Sequence, residues 1–263
     1  METARRAIGG REVAGSLAVA VVALAFWEWG IPALGTPAYI VPPVSDVVAE
    51  FFRMLDGERL VAHSLNTALT VLVGFALGSG LGVVVGYSLG VSPTAEVILS
   101  PYILALQIAP KVAFAPLFVL WFGYTVYPKI LVAILIVFFP VMINVLTAIR
   151  TVDPDLINLA RAFNASRWQI FRMIEFHAAM PALFSGLRIG ATLAVIGVVV
   201  GELVGGNSGL GYLLVFGEGS GNTAMVFVAI ILLTVIGIAA YLLVILAERR
   251  VLHYLPRATL QQT

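Results

Sequence analysis

Six long apolar runs separated by short polar ones lay out this chain of 263 residues. They cover 13–29, 65–89, 97–121, 128–148, 182–204 and 223–247. With its flanks, each reaches the roughly 20 apolar residues that a helix needs to cross the hydrocarbon of a bilayer. Inside these runs the pattern carries finer predictions. Gly74, Gly78, Gly82 and Gly86 recur at a spacing of four, which gives the second run a smooth face that another helix can approach closely. The third run is interrupted by Pro101, Pro110 and Pro116, and the fourth holds Pro140, each removing a backbone donor from a helix. Between runs, 30–63 is polar and rich in proline, and its segment VPPVSDVVAEFFRML predicts an interfacial helix capped by Ser45. The interval 205–222 is rich in glycine around an apolar 210–216, which predicts a short re-entrant or interfacial helix.

The longest charged interval lies at 153–181, DPDLINLARAFNASRWQIFRMIEFHAAMP, and predicts two short helices. Asp153 suits an N-cap, Pro154 the first helical position, and Asp155 the first turn, where the helix dipole favours an acid. Leu156, Leu159, Ala160 and Phe163 then form one apolar stripe at helical spacing. Asn164 follows as the residue that tolerates a left-handed turn, and Ser166 with Gln169 makes a capping box that starts a second helix near Arg167. A helix-turn-helix this short has no core of its own, so it needs a groove on another protein.

These residues resemble the largest loop of the permease subunits of bacterial ATP-binding-cassette importers. The pattern E-A-A-x-x-x-G-x(9)-I-x-L-P of that family is matched in spacing by Asn158-Leu159-Ala160, Asn164 and Ile174-Glu175-Phe176-His177. Ala160 and Ile174 match outright, while Asn158 stands for the acid, Asn164 for the glycine and His177 for the proline. The strings Ala165-Ser166-Arg167-Trp168-Gln169-Ile170-Phe171, APKVAFAPLFVLWFG and SGLGYLL are similar to the nitrate, sulfonate, taurine and thiamine-precursor branch. The resemblance implies an all-α membrane protein with six transmembrane helices, a type I importer-like permease with a cytoplasmic coupling helix-turn-helix. It also implies one permease domain over 1–263, with the coupling loop at 150–181 and the transport core at about 65–250. By the same resemblance, Asn158, Leu159, Ala160, Arg161, Phe163, Asn164, Ala165, Ser166 and Arg167 would contact an ATPase. The implied partners are two ATPase subunits, a second permease copy or a paralogue, an external solute-binding protein and the lipid membrane. ATP and magnesium would be bound by the ATPase, and the solute would be a small anion or a vitamin-like heterocycle.

Composition agrees with the pattern: 60% of residues are hydrophobic and 11% charged, with a mean hydropathy of +1.03. The net charge of +1 and the absence of a basic cluster give no sign of nucleic acid binding. There is no cysteine and no G-x-x-x-x-G-K-[ST], so the sequence offers neither thiol chemistry nor a P-loop, and ATP hydrolysis is expected on another chain. Lys and Arg set the orientation. The leader, 150–172 and the tail hold Arg5, Arg6, Arg11, Arg150, Arg161, Arg167, Arg172, Arg249, Arg250 and Arg257, against Arg53, Arg59 and Lys129 opposite. Ten against three places both termini and the charged loop in the cytoplasm, and the resemblance implies that the membrane is a bacterial inner membrane. Glu28 between Trp27 and Trp29 is unlike a cleavage site, so the first run reads as a retained span.

Charged residues within apolar runs are costly and point to function. Lys111 after Pro110, Asn144 and Glu202 are therefore candidates for the translocation path. Lys111 has three readings: contact with an anionic solute, an ion pair with Glu202, or an amine reaching an interface. A different class, an ion-coupled secondary transporter using Lys111 and Glu202, would call for repeated halves, and no internal repeat is present. No His-x-x-x-His or intramembrane acid pair suggests an enzyme.

Overall fold

The computed structural model describes residues 10–57 and 60–253. Arg5, Arg6, Arg59 and Arg257 of the charge count lie outside them. The described residues are helical, without a strand. The helices are α1 (Gly10–Ala25), α2 (Val44–Gly57), α3 (Leu60–Gly90), α4 (Pro93–Ile108), α5 (Ala115–Phe122), α6 (Tyr127–Arg150), α7 (Pro154–Ala162), α8 (Arg167–Gly205), α9 (Leu210–Gly219) and α10 (Thr223–Val251). Helix α1 runs on through a π-helical turn, Phe26–Gly30, and a last turn, Ile31–Ala33. Among the described residues five helical stretches are long and apolar enough to cross a membrane, and α4 with the helix that follows makes a sixth, bent span.

The described residues form two compact units, one from those up to Val61 with Leu213–Ile231, the other from Ala62–Tyr212 with those from Leu232. In the first, Trp27 donates its indole N–H to the Pro42 carbonyl at 2.9 Å and lies 5.5 Å from the Phe227 ring. The predicted interfacial helix is α2, but Ser45 does not cap it. The helix already begins at Val44, and both the amide and the hydroxyl of Ser45 donate to Glu28, at 3.0 and 2.8 Å. Glu50 accepts from Arg53 at 2.8 and 2.5 Å and from Asn222 at 2.7 Å, and the Arg53 bond holds its carboxyl below the ordinary range.

The second unit is built on α6. Val132, Ala133, Val137, Val141 and Met142 along it are fully buried, and two glycine faces explain why. On one side is the stripe that the sequence predicts on α3. A Cβ added at Gly74, Gly78 or Gly82 would stand 2.6 Å from Ala133 Cβ, 3.0 Å from the Ile134 carbonyl and 2.8 Å from the Phe138 carbonyl. On the other side is a second stripe, on α8. There a Cβ at Gly186, Gly197 or Gly201 would come within 3.0 Å of Asn144 Cβ, 2.7 Å of Ala133 Cα and 2.6 Å of Lys129 Cα. The close approach brings dispersion contacts within range along both seams, the main source of helix association in lipid.

Two predicted elements differ from the sequence reading. The third run is interrupted more sharply than the pattern suggests, as two helical pieces, Pro93–Ile108 and Lys111–Phe122, bent by 79°. Pro110 has no amide hydrogen and drives Ala109 into extended backbone (φ −52°, ψ 135°), which stops α4 there. Pro101 is carried inside α4, and Pro116 sits harmlessly in the first turn of α5. The second difference concerns the charged interval. Its second helix does not stop at Pro181 but continues as α8 to Gly205, with a π-helical turn at Phe171–Glu175 and Pro181 inside the helix.

A candidate docking face and a buried polar node

The α7 turn that leads into α8 is fixed by local chemistry. Asp153 accepts from the Asp155 amide at 2.9 Å with Pro154 at the first helical position. Asn164 takes φ +58°, a left-handed conformation in which its amide reaches the Arg161 carbonyl at 2.9 Å and the Ala165 amide reaches Ala160 at 3.0 Å. Ser166 and Gln169 close both halves of the capping box, at 3.3 and 2.7 Å. The sequence expectations for these caps hold residue by residue.

This well-fixed turn carries an uncovered apolar stripe. Leu156, Leu159 and Phe163 are 51%, 57% and 80% exposed, and Trp168 on the next turn is 66% exposed. Asn158, Arg161, Asn164, Ser166 and Arg167 are exposed around them, with Ala160 and Ala165 half-buried. Burying one such side chain would stabilise by roughly 1.5–3 kcal/mol, which makes the stripe a candidate docking surface.

The candidates for the path separate into two places. Pro110 makes the break that sets Lys111 at the start of a 3₁₀ turn. The Lys111 amine donates to the Gln107 carbonyl and lies 4.8 Å from the centroid of the Phe139 ring, a cation–π geometry. It lines a cavity of about 410 Å³ with Gln107, Phe139, Pro140 and Asn144. Asn144 donates its amide to the Pro140 carbonyl at 2.8 Å.

Glu202 is elsewhere, so of the three readings of Lys111 the ion pair with Glu202 is not formed. Its carboxylate is fully buried and accepts from the Thr67 hydroxyl at 2.9 Å and the Gly211 amide at 2.7 Å. Its cation is Lys129, at 4.0 Å, whose amine also donates to the Ser208 carbonyl at 2.7 Å. The Thr67 hydroxyl accepts from the Leu210 amide at 2.8 Å, and His63 Nδ1 from the Gly209 amide at 3.0 Å. Glu202, Thr67, His63 and Lys129 thus pin the glycine-rich loop that starts α9. Sequence reasoning counted Lys129 as a loop cation; it is 2% exposed in the first turn of α6. The available signal was His63 and Thr67, one helical turn apart on α3 and facing the same way. Among the described residues, no three of His, Asp and Glu gather where a metal could be held.

Residues 78–253 match the family described as the binding-protein-dependent transport system inner membrane component. The chain is 44% identical over 231 residues to the riboflavin transport system permease protein RibX of Chloroflexus aurantiacus, covering 88% of this chain and 86% of that one. It is 34% identical to the putative aliphatic sulfonates transport permease protein SsuC of Bacillus subtilis, over 90% of this chain and 86% of the other. It is 31% identical to the formylaminopyrimidine transport permease protein ThiX of Halalkalibacterium halodurans, over 82% and 87%. With its apolar spans, its capped and uncovered turn, and a family match over most of its length, this chain belongs to the inner-membrane permease subunits of binding-protein-dependent ABC importers.

Proposed function

We propose that this chain forms the translocation path of an ATP-driven importer and that α7 with the first turns of α8 docks on a separate ATPase. The observation that carries this reading is the exposed stripe of Leu156, Leu159, Phe163 and Trp168 on a turn whose backbone is otherwise fully capped. The working complex would hold two permease chains, identical or paralogous, two ATPases that bind ATP and magnesium, and an external solute-binding protein. Both termini and the docking turn would face the cytoplasm, an orientation that the arginine count supports. Nucleotide-driven closure of the ATPases would push the docking turn and shift the spans between inward-facing and outward-facing packings.

For the solute, a vitamin-like heterocycle is favoured by the higher identity to a riboflavin permease than to the sulfonate and formylaminopyrimidine permeases. A small anion is the second reading, and it is favoured by the Lys111 ammonium on the cavity wall. Lys111, Asn144 and Pro110 would belong to the path. Glu202 would hold structure nearby without contacting solute.

The docking test uses a cysteine at Ala165, the only thiol in a chain that has none of its own. It is crosslinked to a single-cysteine ATPase in the co-expressed complex. A crosslink whose yield changes with nucleotide is the expected result, and no crosslink in any nucleotide state refutes docking. Proteoliposome uptake of labelled riboflavin against labelled taurine separates the two solute classes.

A further inference from the structure

Between the docking turn and the long span of α8 lies a joint with its own chemistry. At Phe171–Glu175 the helix is π-wound, with the Phe176 amide donating to the Phe171 carbonyl five residues back. A π turn holds one residue more than an α turn and is often found at functional sites, because a one-residue shift of bonding re-aims everything on one side of it. Two contacts from α3 clamp this turn. The Tyr87 hydroxyl donates to Glu175 Oε2 at 2.9 Å, and the Tyr87 ring meets Phe171 edge-on at 4.8 Å. Phe171 in turn lies 5.3 Å from Trp168, which is exposed on the docking face, and 5.8 Å from Phe176. Glu175 is 8% exposed, so its carboxylate relies on that hydroxyl for a hydrogen bond from another helix.

An unbroken chain of contacts therefore runs from the docking face, through one aromatic ring, to both α3 and α8. Resting on the proposed ATPase docking, we infer that Tyr87 and Glu175 are positioning residues of the coupling step. They hold the π turn in register so that a push on Trp168 moves α3 and α8 together. Neither residue touches solute or nucleotide. Without the clamp the turn can relax locally, and the push is absorbed at the joint instead of reaching the cavity.

The test needs no knowledge of the solute. In the co-expressed complex, Leu193→Cys on the cavity wall reports access through labelling by a membrane-impermeant maleimide, with and without ATP under magnesium chelation. Tyr87→Phe keeps the ring and deletes only the hydroxyl. We expect it to cut the nucleotide-dependent change in labelling roughly three- to tenfold, as the loss of one hydrogen bond allows, while the ATPase still co-purifies. Glu175→Leu should match it, the double variant should be no worse than either single one, and Glu175→Gln, which keeps an acceptor, should restore most of the response. A full nucleotide response in Tyr87→Phe, multiplicative losses in the double variant, or loss of the ATPase overturns the inference. If the unaltered chain itself ignores nucleotide, the docking reading fails first and this inference with it.

Discussion

Gly209→Ala perturbs the polar node at its tightest point. Gly209 sits at φ +108°, a conformation that L-residues rarely adopt, and forcing one there costs about 1–3 kcal/mol. The added methyl would also fall on the Glu202 side chain, with Oε2 2.6 Å away and Oε1 and Cδ nearer still. Glu202 cannot swing aside freely, because it accepts from Thr67 and Gly211 and faces Lys129 in a fully buried site. Breaking one of those bonds costs about another 1–3 kcal/mol. The total, about 2–6 kcal/mol, corresponds to a fall of roughly 10 °C in melting temperature for a chain of this size. Intrinsic tryptophan fluorescence of the detergent-solubilised protein reads this directly. Gly219→Ala is the control, since a Cβ there meets nothing within 4 Å and φ is not in the positive region. It should change melting by no more than a degree or two. Equal melting temperatures for the two variants would refute the account of the node.

Three further outcomes follow from other parts of the structure. Gly82→Leu should prevent α3 from seating on α6, at a cost of about 2 kcal/mol or more, whereas Gly80→Ala, with open space beside it, should be neutral or slightly stabilising; expression and thermal stability check both. Ser166→Ala removes half of the capping box, about 1 kcal/mol, and should weaken ATPase co-purification roughly fivefold while lowering melting by no more than about 4 °C. Lys111→Ala should reduce proteoliposome uptake roughly tenfold with ATPase assembly intact, and unchanged uptake would remove Lys111 from the path.

What could be read from the sequence depended on how local the chemistry was. The caps at Asp153, Asn164 and Ser166 are determined by neighbours within four residues, so each could be named in advance. The α3 glycine face was legible because a spacing of four, close to the 3.6-residue turn, keeps the glycines near one side of the helix. Its counterpart on α8 was harder to see, since Gly186, Gly190, Gly197 and Gly201 skip a position and sit among other small residues. Glu202 was recognised as unusual, but its partners are non-local: Thr67 lies 135 positions away, and only folding decides between Lys111 and Lys129. Proline was the least reliable guide. Pro110 breaks its helix and Pro181 does not, although both follow long apolar or amphipathic runs. The difference is tertiary, because the backbone around Pro181 lies in a stretch that buries Ala179, Met180 and Phe184 against neighbours.

The paired glycine faces have a mechanical consequence. With hardly any side-chain bulk between α6 and the helices on either side, little soft material remains along those seams to be compressed or sheared. The three helices should therefore travel as one plank, and a displacement entering at one end should arrive at the other nearly undiminished. Bending is left to the places where the winding changes or a proline interrupts it, which turns a bundle of greasy rods into a linkage of stiff members and few hinges.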